Sequence, residues 1–189
     1  MYQQPEEVVR FDVAYPERLS RLLIFVKWLL IIPHLVVMSL LLIVLGFVTF
    51  IAWFAILITG NYPQGLWDLS YWIMRWNMRV SIYTGLLRDE YPPFGEQPYP
   101  MLLELRYPDR LSRWKIFVKW ILIIPHLIAL WFLGILQSII TFIAWWAILF
   151  TGNYPQGLFA MTVGIMRWQL RVSVYELLMI DAYPPFALA

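Results

Sequence analysis

The sequence contains no cysteine, which excludes a disulfide framework, a thiolate nucleophile and thiolate ligation of a metal. Charge is also scarce: 14% of the 189 residues are charged and 61% are hydrophobic, which is not the balance of a water-soluble domain. A formal net charge of +2 is too small to indicate nucleic-acid binding. We therefore expect lipid to be the solvent and nucleic acid not to be a partner.

The first twenty residues are rich in charge and lack the apolar stretch and small-residue cleavage site of a secretory signal. From this we expect no cleavage, and insertion into the membrane through the first hydrophobic segment.

Signatures of catalysis are missing too, including Gly-x-Ser-x-Gly, a glycine-rich phosphate loop and a haem motif. The two histidines, His34 and His126, each follow a proline, and neither has further ligands at metal-binding spacing. The sequence thus predicts no catalytic residue, no metal and no cofactor. We expect both histidines to bond backbone groups freed by kinks at Pro33 and Pro125.

What the sequence does contain is a tandem repeat. Tyr15-Pro16 recurs as Tyr107-Pro108, 92 residues later, and this register never slips. Proline and charge mark the segment between the copies as a linker. The predicted divisions are an N-terminal tail (1–14), a first membrane repeat (15–94), a Pro-rich linker (95–106), a second membrane repeat (107–186) and a C-terminal tail (187–189).

Each repeat carries an apolar segment too long for one straight crossing. Residues 22–58 would form a helix of about 55 Å, whereas a hydrocarbon core of about 30 Å needs roughly 20 residues. A hairpin bending near Gly46, and near Gly134 in the second copy, keeps the basic flanks and the linker cytoplasmic, and we rank it first. Two crossings per repeat, with the second after the turn at residues 60–65, rank second. A single crossing after a kink at Pro33 ranks last.

A helix that restarts after this turn is predicted to lie flat at the headgroup boundary, because Asp68, Arg75 and Arg79 share one narrow stripe among Trp and Met residues. Lys27 is expected to snorkel toward phosphates. The predicted contacts with anionic headgroups in both repeats are Lys27, Arg75, Arg79, Lys119, Arg167 and Arg171.

The predicted fold class is therefore an all-α membrane protein of two tandem helical repeats. Each repeat is a long hydrophobic helical hairpin, or kinked helix, followed by an amphipathic interfacial helix.

The repeated motifs resemble a bacterial membrane family catalogued only as a domain of unknown function. Both copies match, over nearly the whole chain. The resemblance implies a helical protein of the bacterial cytoplasmic membrane and supplies no activity. In the first copy, the motifs are Lys27-Trp28, Ile32-Pro33-His34, Ala52-Trp53-Phe54, Gly60-Asn61-Tyr62-Pro63 with Gly65, Arg75-Trp76, Arg79-Val80 and Tyr91-Pro92-Pro93-Phe94.

The function expected from these features is a non-enzymatic membrane scaffold. It would be either an accessory or structural subunit of a larger membrane complex or a self-associating, membrane-shaping protein. Its partners would be membrane lipids together with other membrane-protein subunits or copies of itself. The alternative is a small transporter or channel subunit acting as an oligomer, because internal repeats frame many transport pathways. A lipid-acting enzyme ranks third.

Overall fold

The computed structural model describes residues 8–188, so residues 1–7 of the predicted N-terminal tail and residue 189 of the C-terminal tail lie outside the described part. The chain is mostly helical and consists of two repeated units. Each unit has a short helix, a long apolar helix and a returning helix. Their bounds are α1 (Lys27–Leu30), α2 (Ile32–Thr59) and α3 (Gln64–Thr84), then α4 (Lys115–Leu122), α5 (Ile124–Thr151) and α6 (Gln156–Glu176), with a 3-10 turn at Leu23–Phe25.

A proline at the start and a glycine at the end set the bounds of each long helix. Pro33 lies in the first turn of α2, where its missing N–H leaves no bond unmade. Gly60 ends the helix in the left-handed region, with φ of 78°, and Gly152 ends α5 in the same way with φ of 76°. The interruption between α1 and α2 falls at Ile31, close to the predicted kink at Pro33.

The predicted hairpin bend at Gly46 is wrong, and so is its counterpart at Gly134. α2 and α5 run without interruption through both glycines. A Cβ at either position would meet no atom within 4 Å, so neither glycine serves a close approach or a turn. The chain reverses instead after Gly60, and the hairpin in each repeat consists of the long helix and the returning helix.

The prediction of an all-α fold also needs correction, because two short strands pair in antiparallel fashion. β1 (Val9–Val13) lies in the predicted N-terminal tail, and β2 (Met101–Leu105) lies in the predicted linker. Apolar side chains of β1 point inward while Arg10 and Asp12 are exposed, the alternation expected of a half-buried strand.

The strand pair relates the two repeats by an internal two-fold axis. Phe11 pairs with Leu103, its own repeat equivalent, at the centre of the ladder. Beyond the strands, the Leu111 N–H donates to the Gly60 carbonyl at 2.9 Å, and the Leu19 N–H donates to the Gly152 carbonyl at 2.8 Å. The segment leading into each repeat therefore binds the tip of the other repeat, and the two hairpins point in opposite directions.

Two non-helical segments run along the returning helices, and we call them straps. The first strap, residues 88–111, follows α3. The second strap follows α6 and consists of residues 177–188 and residues 9–19. Because α3 packs against both α2 and β2, and α6 against both α5 and β1, each returning helix lies between a strap and a long apolar helix.

Candidate functional site

Two buried lysines mark equivalent positions at the base of each hairpin. The Lys27 ammonium lies 2.8 Å from a carboxylate oxygen of Asp89, donates to the Arg88 carbonyl at 2.7 Å and sits 4.8 Å from the centre of the Tyr83 ring. In the second repeat, the ammonium of Lys119 lies 2.9 Å from Asp181. Both cations are thus held by a carboxylate, a carbonyl and an aromatic face.

These contacts correct the prediction that Lys27 and Lys119 reach lipid headgroups. The two side chains are only 3% and 1% exposed, and they bind protein groups instead. Sequence reasoning missed Asp89 and Asp181 because it sought carboxylates only inside the apolar segments. The repeat spacing of 92 residues, which relates the two aspartates, was the signal that could have found them.

Arg79 and Arg171 are also buried, at 3% and 2% exposure, and they fasten the straps. The Arg79 guanidinium donates to the carbonyl of Gly95 at 2.6 Å and to the carbonyl of Gln97 at 3.1 Å. Arg171 donates to the Ala187 carbonyl. The prediction that this pair contacts headgroups is therefore wrong, because both guanidinium groups bind carbonyls of the straps, whereas the flat orientation of the helix stays a prediction.

The remaining predicted lipid-binding arginines are half-buried. Arg167 donates from Nε to the Phe11 carbonyl at 2.9 Å and from Nη1 to the Leu188 carbonyl at 3.1 Å, with Asp12 at 3.7 Å. Arg167 therefore joins both pieces of the second strap. For Arg75, contact with an anionic headgroup stays a prediction.

Each histidine lies in an aromatic cage. The His34 ring stacks on Phe94 with centroids 4.1 Å apart, and Tyr91 and Trp76 lie at 4.8 and 5.5 Å. The His126 ring stacks on Phe186 in the same way, and its Nδ1 accepts a hydrogen bond from Trp168 Nε1 at 3.0 Å.

The prediction that the histidines bond backbone groups freed by Pro33 and Pro125 is wrong. Within the described residues, neither ring nitrogen of His34 has a hydrogen-bond partner, and neither does Nε2 of His126. The histidines instead pack the ends of the straps onto the hairpins.

The long helices leave much of their apolar surface exposed. Two helical stretches, α2 (Ile32–Thr59) and α4 with α5 (Lys115–Thr151), are long and apolar enough to cross a membrane. Within the most apolar 18 residues of each stretch, only 28% and 11% are buried inside the protein. Side chains such as Ile58 and Phe150 are 71% and 69% exposed. A helix in the core of a soluble protein would bury these groups.

Two grooves related by the internal two-fold open between each long helix and the other repeat. The first has a volume of about 840 Å³ and is lined by Trp53, Trp120 and Glu176 among apolar groups. The second has a volume of about 680 Å³ and carries Thr84 at the position equivalent to Glu176. Burial raises the pKa of the Glu176 carboxyl, because the groove withdraws water from the charged form.

Within residues 8–188, no three His, Asp or Glu side chains gather as a ligand set for a metal ion. The buried cations described above bind other parts of the chain, so they fasten the straps to the hairpins.

Comparison with known proteins identifies a family. No curated protein and no solved structure matches the chain. The family described as "Domain of unknown function (DUF4389)" matches twice, over residues 21–95 and 113–187. The chain therefore belongs to the DUF4389 family and carries two tandem copies of its domain.

Proposed function

We propose that the protein is a non-enzymatic scaffold embedded in a membrane. The observation that supports this most directly is the exposure of α2 and α5, which present Leu40, Phe47 and Ile58 and their repeat equivalents outward. Burying apolar surface is worth about 25 cal/mol per Å², so helices of this composition favour lipid strongly over water. The resemblance to a bacterial membrane family makes the cytoplasmic membrane the proposed location.

The internal bonding supports a structural role over transport. Transporters expose intramembrane polar groups to a pathway. Here the ammonium groups of Lys27 and Lys119 are directed into carboxylates and carbonyls of their own repeats. The scaffold would act either as an accessory subunit of a larger membrane complex or by associating with further copies of itself.

Vesicle flotation tests the membrane part of the proposal. The wild type should float with vesicles of phosphatidylethanolamine and phosphatidylglycerol. Phe47→Lys combined with Phe54→Lys should reduce flotation severalfold, because both side chains are exposed on α2. Leu102→Lys is the matched control: it also replaces an exposed apolar side chain, but on β2, and should float normally. A wild type that remains soluble without lipid or detergent contradicts the proposal.

Reconstitution tests the non-enzymatic scaffold against the transporter. Vesicles that contain the protein should show no more ion or solute flux than empty vesicles. Flux that is abolished by Lys27→Met and retained by Arg10→Gln, a change of an exposed strand residue, would favour the transporter.

A further inference from the structure

The first strap lies along the full length of the first hairpin. Beginning at the base, Tyr91 contacts Tyr83 with ring centroids 5.8 Å apart, and Gly95 accepts the bond from Arg79. Further along, the Leu103 carbonyl accepts from Tyr71 at 2.8 Å, and the ring centre of Tyr107 lies 5.3 Å from that of Trp67. At the tip, Leu111 binds Gly60. The strap thus runs antiparallel to α3 from one end to the other.

The second strap does the same for the second hairpin in two pieces. From the base, Tyr183 contacts Tyr175 with ring centroids 5.8 Å apart, and Leu188 accepts the bond from Arg167. Beyond that point, the N-terminal segment takes over: the Phe11 carbonyl accepts from Arg167, and Leu19 binds Gly152 at the tip. Both hairpins are therefore accompanied along their whole length by non-helical chain.

Neither strap can lie in the hydrocarbon core of a bilayer at low free-energy cost. Apart from the short strand pair, their backbone lacks the regular hydrogen bonding that a chain in hydrocarbon requires. A charged side chain at the centre of a bilayer costs roughly 2.5 to 3.5 kcal/mol on insertion scales. The exposed charges of the straps are Arg10, Asp12, Glu17, Arg18, Glu90, Glu96, Glu104, Arg106, Asp109 and Arg110.

The position of the straps excludes upright hairpins. The 28 residues of α2 extend about 42 Å, more than the hydrocarbon core of about 30 Å. If α2 and α3 stood across the bilayer, the first strap beside them would cross it too. Because the hairpins point in opposite directions, an upright arrangement would also place the basic segments before the two repeats on opposite sides.

We propose that both hairpins lie along the plane of the membrane, with α2 and α5 immersed in one leaflet and the straps in water, so that neither repeat crosses the bilayer. The proposal rests on the membrane location proposed above. The returning helices α3 and α6 then form the layer between lipid and water, and the protein occupies one leaflet only.

Depth measurements with nitroxide labels test the orientation in reconstituted full-length protein. Cysteines at Leu40, Phe47, Phe54 and Ile58 place labels on one exposed face of α2. These labels should lie within a few ångströms of one depth, whereas a crossing helix would spread them over about 27 Å along its axis. The matched set on α5 is Phe132, Ile139, Trp146 and Phe150, all exposed.

Labelling from either side completes the test. A membrane-impermeant reagent should modify cysteines placed at Asn61, Asn153 and Glu96 from the same side. Graded nitroxide depths, or modification of Asn61 and Asn153 from opposite sides, would overturn the in-plane arrangement while leaving membrane embedding intact. Free access of an aqueous relaxation agent to every nitroxide on α2 and α5 would instead reject the membrane location and the arrangement with it.

Discussion

The ammonium group of Lys27 and the carboxylate of Asp89 lie 2.8 Å apart, and this contact closes the base of the first hairpin. Removing one partner of a buried pair leaves an uncompensated charge, which costs about 3 kcal/mol. Asp89→Asn should therefore lower the stability in detergent markedly, and Lys27→Met combined with Asp89→Leu should restore part of it. Thermal unfolding followed by circular dichroism measures both.

The control for this prediction is the exposed pair of Arg10 and Glu104, 3.7 Å apart. An exposed ion pair contributes at most about 1 kcal/mol, so Glu104→Gln should change the unfolding midpoint little. Equal effects of Asp89→Asn and Glu104→Gln would contradict the structural role of the buried pair.

Arg79→Met should release the first strap from α3. The guanidinium donates to two carbonyls of the strap, and bonds from a charged donor are worth about 1.5 to 3 kcal/mol. We expect amide hydrogen exchange in β2, which its pairing with β1 protects, to accelerate about tenfold, the factor that 1.4 kcal/mol produces. The same change at the less buried Arg75 should leave this exchange close to that of the wild type, and comparable acceleration by both variants would disprove the assignment.

Gly60→Ala and Gly46→Ala should have opposite effects. Gly60 has φ of 78°, a region that costs other residues about 1 to 2 kcal/mol, so alanine should destabilise the protein. At Gly46 there is open space and regular helix, and alanine favours a helix by up to about 1 kcal/mol. Unfolding midpoints compare the two. A loss of stability with Gly46→Ala would contradict the regular helix at this position and favour a bend there.

Glu176→Gln should stabilise the protein at neutral pH and lose this advantage in acid. Because burial raises the pKa of Glu176, its protonated form favours folding; that stabilisation is complete below the ordinary value of 4.5 and is lost as pH rises through the folded value. The difference in unfolding midpoint between variant and wild type should therefore grow from pH 4 to pH 8. The exposed Glu96→Gln is the control, and a difference independent of pH would refute this account.

Several features were predictable because they are encoded locally. The apolar segments and the turn after Thr59 need only neighbouring residues to recognise them, the repeat register needs only a comparison of the chain with itself, and the structure has each of them. The family matches confirm the two tandem copies.

Apart from the bends placed at Gly46 and Gly134, the errors have a common physical cause, since they concern what a segment packs against. The alternation in β1 was visible, but a strand five residues long is unremarkable until β2, ninety-two residues later, supplies its partner. Helical spacing places Arg75 and Arg79 on one face of α3, yet the sequence does not show that Arg79 binds a non-helical segment. The sequence likewise predicts that Lys27 contacts lipid phosphates, because it does not show that Asp89 lies beside it.

The exchange of leading segments between repeats has a consequence for synthesis and for chains with a single copy. Tyr15 and Leu19 bind the tip of a hairpin that the ribosome completes more than one hundred residues later, so these contacts of the first repeat form only after the second repeat is made. A polypeptide with a single copy would have no such tip of its own to receive its leading segment. Two identical single-copy chains would each find that tip in the other, by the exchange that the two repeats make here.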